Sequence, residues 1–417
     1  MKKQRSLSRN SCLTKKQKTG IILGSIFGGL ALIGTGIGIG YAIWHKKTPK
    51  TSPYNDDGSN WQNHTAGTVN MSYYDNGGTK LATIDSINNY SAKNLVIPDT
   101  IVHNNEEYKV YRISTDAFKN DTSLTGTITF GQYLYCIDHG AFQGCTNLSG
   151  KLYIPDSVVI VGDNCFTNTN LEWSIANSVQ YSWTDESEYH NIWCFGGQSA
   201  ITGALTLNAN TYGIVGSAFV SNSGISNSWS QIIGGLNKLR SICSSAFMEC
   251  SSITDDLVLP NTVNYVGQKA FYDCNSAAFQ TDQGVYYCKT NSACTNIWAL
   301  SVNYSQGTTA SFSFIPGTYG VAAYTFSVGS NAQKITGSLT IPSTIVAINN
   351  DAFSSQTLIN NINLADWNVL PKWSGINCFR GVNTIGTVSH TNCSFSDSQA
   401  LIYLKSVGLP SGWTSAN

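Results

Sequence analysis

His190 and Cys194, in one insertion, are a near pair with the types for nucleophilic chemistry. A cysteine nucleophile needs a base that lowers its thiol pKa and a third group that orients the base. Asp185 or Glu188, in the same stretch, has the chemistry for that third role. Cys194 also precedes Phe195, a pair in phase with Ala218-Phe219 24 residues later. A thiol placed by a repeat is a core filler first, because small buried thiols pack well. A cysteine hydrolase is therefore the last of the readings, and the chain is expected not to be an enzyme. No phosphate-cradling glycine loop, His-Glu-x-x-His or Gly-x-Ser-x-Gly occurs. No catalytic, cofactor or metal residues are assigned.

The remaining cysteines follow the same logic. Cys145, Cys250 and Cys274 each lie three residues after a phenylalanine, and Cys165, Cys194 and Cys378 each precede one. Cys250 and Cys274 would sit on successive coils at the ~4.8 Å strand spacing with nearly parallel side chains, whereas a disulfide wants Cβ atoms near ~3.8 Å. Cys288 and Cys294, in an insertion, are the better disulfide candidates. Cys-x-x-Cys pairs of the kind that hold structural zinc are missing. Asn55, Asp56, Asp57 and Asn60 suggest calcium, but the loop lacks the closing bidentate Glu, so they read as linker.

What positions these residues is a repeat. Phe118, Phe142 and Phe166 are spaced by 24, as are Phe195 and Phe219, and Phe247 and Phe271. Around them recurs one order of residues: Leu152, Ile154, Pro155, Val158, Val161, Gly162, Cys165, Phe166. It returns as Leu257, Leu259, Pro260, Val263, Val266, Gly267, Ala270, Phe271, and as Leu339, Ile341, Pro342, Ile345, Ile348, Ala352, Phe353. A period between about 20 and 30 residues marks a solenoid, in which each coil buries its apolar side against its neighbours. Alternating Leu-x-Ile predicts a short strand, and the prolines fall at its exit, where a missing N–H costs nothing in the ladder. The glycines at 162, 216 and 267 are read as the turn of the coil, and the phenylalanines as an internal ladder.

Leu-x-Ile-Pro-x-Ser/Thr-Val/Ile, then Ile/Val-Gly, then Ala-Phe-x-x-Cys, resembles the leucine-rich repeat of BspA-like bacterial surface proteins. The resemblance implies a β-rich solenoid, a leucine-rich repeat array of about 24-residue coils made of short parallel strands with turns and short helical pieces. It also implies display outside the cell and adhesion to host or matrix proteins.

The bulk numbers are consistent with many turns and strands: 12% charged and 41% apolar residues over 417. All seven charges in the first eighteen residues are basic, which leaves 17 basic against 24 acidic in residues 45–417, a formal −7. That balance argues against a nucleic-acid partner, which needs clustered Lys and Arg. Residues 19–44 carry no charge and exceed the ~20 residues needed to span a bilayer. They are expected to form one transmembrane signal anchor, with the basic residues 1–18 cytoplasmic and the rest outside. The alternative is a signal peptide cleaved after Ala42, but its apolar core would be shorter. Gly20, Gly24 and Gly28, with Gly36 and Gly40, have the spacing for a homodimer through the anchor helix.

Residues 45–66 are expected to be a linker, and 67–93 a capping hairpin turned at Asp75-Asn76-Gly77-Gly78. The solenoid is expected over 94–385 and a carboxy-terminal cap over 386–417. Ser396 to Gln399 forms a capping box there for a short helix. Insertions at 172–193, 220–237 and 275–309 interrupt the repeat, and in solenoids such insertions often form the contact surface. The candidate contact residues are Tyr153, Trp173, Trp183, Trp193, Trp229 and Trp298, since Trp and Tyr carry binding energy at interfaces. The sequence thus predicts a membrane-anchored surface protein that binds proteins or host surfaces. The alternative is a structural or antigenic coat protein with no dedicated ligand.

Overall fold

The computed structural model describes residues 68–416, apart from 77–78, 89–92, 184–190, 198, 303–308, 311, 328–333, 374 and 376. The expectations for the basic segment, anchor, linker and cleavage site lie outside the described residues, as do His190, Asp185 and Glu188. Among the described residues no helix is long and apolar enough to cross a membrane.

The phenylalanines do form ladders, but three separate ones. Phe118, Phe142 and Phe166 stack with ring centroids 4.7 and 5.3 Å apart. Phe219, Phe247 and Phe271 stack at 5.2 and 5.8 Å, and Phe326, Phe353 and Phe379 at 5.1 and 5.3 Å. In each ladder the backbone locks the register: the N–H of Phe118, Phe219 and Phe326 donates to the carbonyl of Ala141, Ala246 and Ala352, all at 2.8 Å. Aromatics from outside the ladders stand edge-on to each stack, among them Phe130, Trp229 and Phe312. The buried residues fall into three matching clusters.

The turns are made by residues other than the glycines that the sequence suggested. Two residues before each ladder phenylalanine the backbone is left-handed: Asp116, Gly140, Asn164, Ser217, Ser245, Lys269, Tyr324, Asp351 and Asn377 have φ between 52° and 60°. Asn, Asp and Gly adopt this region at least cost, which explains their frequency there. Gly162 and Gly267 are needed for a different reason. A Cβ on either would lie 2.4 Å from the His139 nitrogen or 2.3 Å from that of Ser244, so the preceding coil's backbone leaves no room.

Each ladder belongs to a block that begins with a β-hairpin. The first hairpin is Thr68–Asn76 with Thr79–Asn88, and its second strand pairs in parallel with Glu106–Ile113. The second is Val179–Tyr181 with Ile192–Gly197, which pairs in parallel with Thr211–Ile214. The third is Val285–Tyr287 with Ile297–Val302, pairing in parallel with Thr318–Val321. The registers correspond residue for residue: Trp193 lies opposite Gly213 and Trp298 opposite Gly320. The expected capping hairpin is therefore the first of three equivalent elements; insertion 275–309 contains the third, and the second begins in insertion 172–193 and runs on to Gly197.

At each junction the last short strand of one block meets the next block without a full strand partner. Gly216 N–H donates to the Val161 carbonyl and Ala323 N–H to the Val266 carbonyl, both within 2.9 Å. The groups left over are satisfied by side chains. Ser241 Oγ donates to the Val159 carbonyl, and Val161 N–H donates to Cys243 Sγ at 3.4 Å. At the second junction the fully buried Asn349 does both: its Oδ1 accepts from Val266 N–H at 2.9 Å and its Nδ2 donates to the Asn264 carbonyl at 3.3 Å. Asn349→Ala would strand a buried donor and acceptor, so we expect a loss of about 2–3 kcal/mol, read as a lower urea midpoint.

On the opposite side, Leu95, Leu152, Leu257 and Leu339 point inward as their spacing predicts. The strands Ile335–Pro342, Ile359–Ala365, Thr387–Thr391 and Thr414–Ser415 form one parallel ladder, which continues past residue 385. Helix α1, Asp397–Ser406, carries the expected capping box at Ser396 and buries Ala400 and Leu404 against the last coils.

Candidate interaction surface

The six candidate contact residues divide by burial. Trp193, Trp229 and Trp298 are fully buried, at 0% exposure, and are corrected from contact residues to core. Trp193 and Trp298 lie over Gly213 and Gly320, where an added Cβ would fall 2.4 to 2.7 Å from the indole ring. Each indole fills the space between two blocks, and the glycine opposite is what admits it. Trp229 stands at the start of the one-turn helix Trp229–Ile232, capped by Ser228, which turns the indole onto Phe247 and Phe271.

Tyr153, Trp173 and Trp183 stay half-buried, and all three gather at the first junction. Tyr153 and Trp183 are partners in a parallel bridge, fixed by Trp183 N–H donating to the Leu152 carbonyl at 2.9 Å. The Trp183 indole N–H donates to the Glu172 carbonyl at 3.0 Å, so the ring is held rather than loose. The exposed Lys151 ammonium sits 4.2 Å from its centroid, a cation–π contact. Trp173 packs on Phe195 at 4.7 Å. Phe195, read from the sequence as a ladder position, instead stands edge-on to Phe166 at 70° and closes the first ladder.

A second aromatic surface, not singled out in the sequence, lies on the outer side of the short strands. Tyr111 and Tyr135 occupy the same position on successive coils and stack at 5.3 Å, 9° from parallel. Lys109 caps Tyr133 at 4.8 Å. Arg112 Nε donates to Asp138 Oδ2 at 2.6 Å. Burial works against the Arg112 charge, yet the Asp138 carboxylate outweighs it and holds the guanidinium above its usual pKa. Asp351 pairs with Arg380 at 2.8 Å, but burial still pushes its carboxyl up. Tyr212, two coils beyond Tyr135, is pushed to about 12 by burial and by Asp156. The clue to this surface was the recurrence of Tyr two residues before the inward Ile or Val, at 111, 135, 212 and 319.

Among the described residues the buried thiols are raised by burial rather than activated. Cys194 is buried in the hairpin strand opposite Ile214, at an inward strand position rather than at the alanine of Ala-Phe. Burial pushes its thiol up to about 12, the reverse of what a nucleophile needs. Cys145, Cys250 and Cys274 donate to the carbonyls of Phe118, Phe219 and Phe247, at 2.9, 3.1 and 3.1 Å. Cys288 and Cys294 are both free: the buried Cys288 Sγ accepts from Trp298 N–H at 3.2 Å, and Cys294 is partly exposed. The disulfide expected there is not formed. Among the described residues no three His, Cys, Asp or Glu come together to hold a metal ion.

These thiols set a pH dependence. Burial raises Cys250 to about 11 and Cys274 to about 12 from an ordinary 9.0. Unfolding therefore frees thiolate only above that ordinary value. Their contribution is complete below about pH 9 and is lost as the pH climbs through the folded values. We expect a urea midpoint that is flat from neutrality to about pH 8.5 and falls above it. Alkylation of the native chain at pH 8 should reach Cys294 and Cys393, the two partly exposed described cysteines, and spare the other nine until denaturant is added.

The model of the BspA type leucine-rich repeat region (6 copies) matches residues 85–182, 111–228, 227–316 and 320–414. No curated protein matches the sequence. Among solved structures, a leucine-rich repeat protein from Bacteroides ovatus is similar at 14% identity and a TM-score of 0.24, over 83% of this chain and 77% of its own. The pneumococcal vaccine antigen PcpA is similar at 14% identity and a TM-score of 0.22, over 78% and 89%. A leucine-rich cell surface protein of Faecalibacterium prausnitzii is similar at 15% identity and a TM-score of 0.18, over 82% and 98%. With repeat-family matches covering the described array from end to end, the chain belongs to the BspA type leucine-rich repeat family.

Proposed function

We propose that the protein is a cell-surface binding protein, held in the membrane by residues 19–44, that engages a protein or host surface without catalysis. The observation that carries this reading is the Lys151–Trp183–Tyr153 cluster: aromatic area that is half-exposed and held in place by a backbone bridge and a cation–π contact. A fixed ring with a cation above it offers contact area at little ordering cost, which favours it as a binding anchor. The −7 balance of residues 45–417 favours a basic or neutral partner over nucleic acid. Protease shaving of intact cells tests the placement. Peptides from the array should be released and a remnant containing residues 1–44 should stay in the membrane; an array protected until lysis would overturn it.

A further inference from the structure

The two junctions between blocks are built from equivalent strand positions, yet among the described residues one is covered by aromatic rings and the other leaves a cavity. At the first, Phe195 and Trp173 cover the end of the phenylalanine ladder, with Phe195 5.9 Å from Phe166 and 4.7 Å from Trp173. Strand register places Leu300 where Phe195 stands, because Trp193 and Trp298 are equivalent and each residue follows two positions later. Likewise Phe279 precedes the strand Gln280–Asp282 as Trp173 precedes Ser174–Ala176. Both substitutions are to smaller side chains. The backbone also stands further off: Gly196, whose Cβ would lie 2.1 Å from the Ala218 carbonyl, is matched by Ser301, which has one.

The result is a cavity of about 380 Å³ at the open end of the second ladder, against Phe271, Phe279 and Leu300. Tyr286, Ser276 and Ser301 contribute to its lining and supply hydroxyl groups. Phe279 and Tyr286 meet edge to face, 5.9 Å apart, so that wall is rigid. Clefts of ~300 Å³ and above accept small ligands, and the first junction shows in the same molecule that the position is shaped for aromatic rings.

We propose that this cavity binds a flat aromatic small molecule carrying an NH or OH group, seated on Phe271 as Phe195 is seated on Phe166. The site is separate from the Lys151–Trp183 surface. Indole is the probe. With the full-length chain in detergent micelles and empty micelles as reference, saturation-transfer NMR should show saturable indole binding. The paired change Phe279→Trp with Leu300→Phe, which copies the first junction, should weaken it at least tenfold while leaving the melting temperature equal or higher. The reverse pair, Trp173→Phe with Phe195→Leu, should add a second site. Indole that does not saturate, or that binds the filled variant as it binds the wild type, would overturn the proposal. Should the filled variant fail to fold, the reverse pair decides alone: no gain in bound indole would count against it.

Discussion

Replacing Phe247 by alanine should cost about 3–5 kcal/mol, the largest loss available at a single repeat position. The ring lies in the middle of its ladder, stacked on Phe219 and Phe271 at 5.2 and 5.8 Å, with Trp229 edge-on at 5.3 Å. Three aromatic partners lose contact at once, and the hydrogen bond from its N–H to the Ala270 carbonyl keeps the backbone from collapsing into the gap. Phe166, at the end of a ladder, has a stacked partner on one side only and should cost less. Because coils contact only near neighbours, the loss should appear as early unfolding of the second block rather than a uniform shift. Hydrogen exchange across residues 205–278 reads it directly. Equal protection of all three blocks in the variant would contradict the block description.

Removing Trp298 should have a comparable effect for a different reason. Trp298→Ala would open the seam between second and third blocks, where the indole lies over Gly320, and should cost about 3–5 kcal/mol. The ring is there for volume. Its indole N–H has no hydrogen-bond partner among the described residues, nor has that of Trp193. A buried orphan donor costs about 1–3 kcal/mol. Trp298→Phe should therefore lose far less than Trp298→Ala, since the smaller ring also removes the orphan. Denaturant midpoints of the two variants decide the matter. A Phe variant as damaged as the Ala variant would mean that the indole nitrogen has a role that packing does not explain.

Much of this architecture is legible in the residues. The 24-residue spacing of phenylalanines marks three of the six stacked pairs, the others standing 26 to 28 residues apart, and Leu-x-Ile gives the inward strand positions. The capping box at Ser396 gives the closing helix. What misled was the pair Cys194-Phe195, because the second hairpin occupies nearly the same length of chain as one coil and so keeps its phase. The larger period was also present. Asn-Ile-Trp occurs at 191–193 and 296–298, and Thr-Tyr-Gly at 211–213 and 318–320. That unit is about four coils long, so the single-coil repeat masks it. The binding candidates were harder to sort, since a tryptophan in an insertion faces inward or outward depending on the residue across the strand. Gly213 and Gly320 decide for Trp193 and Trp298, and the cross-strand partner is visible only once the register is known. The outer tyrosines escaped because each occupies a variable position of its own coil and becomes a surface only when coils stack.

The proposed function has the protein work by contact, through the held aromatic cluster at the first junction. Lys151, Tyr153 and Trp183 are attached to the array by backbone bonds that do not depend on their side chains, so Trp183→Ala should change stability by no more than about 1 kcal/mol. Titrating the full-length chain and this variant onto host-cell and matrix-protein surfaces is the most direct test. The account predicts saturable binding by the wild type, weakened at least tenfold in Trp183→Ala at unchanged melting temperature. Binding that saturates on no surface, or that is indifferent to Trp183, would contradict it.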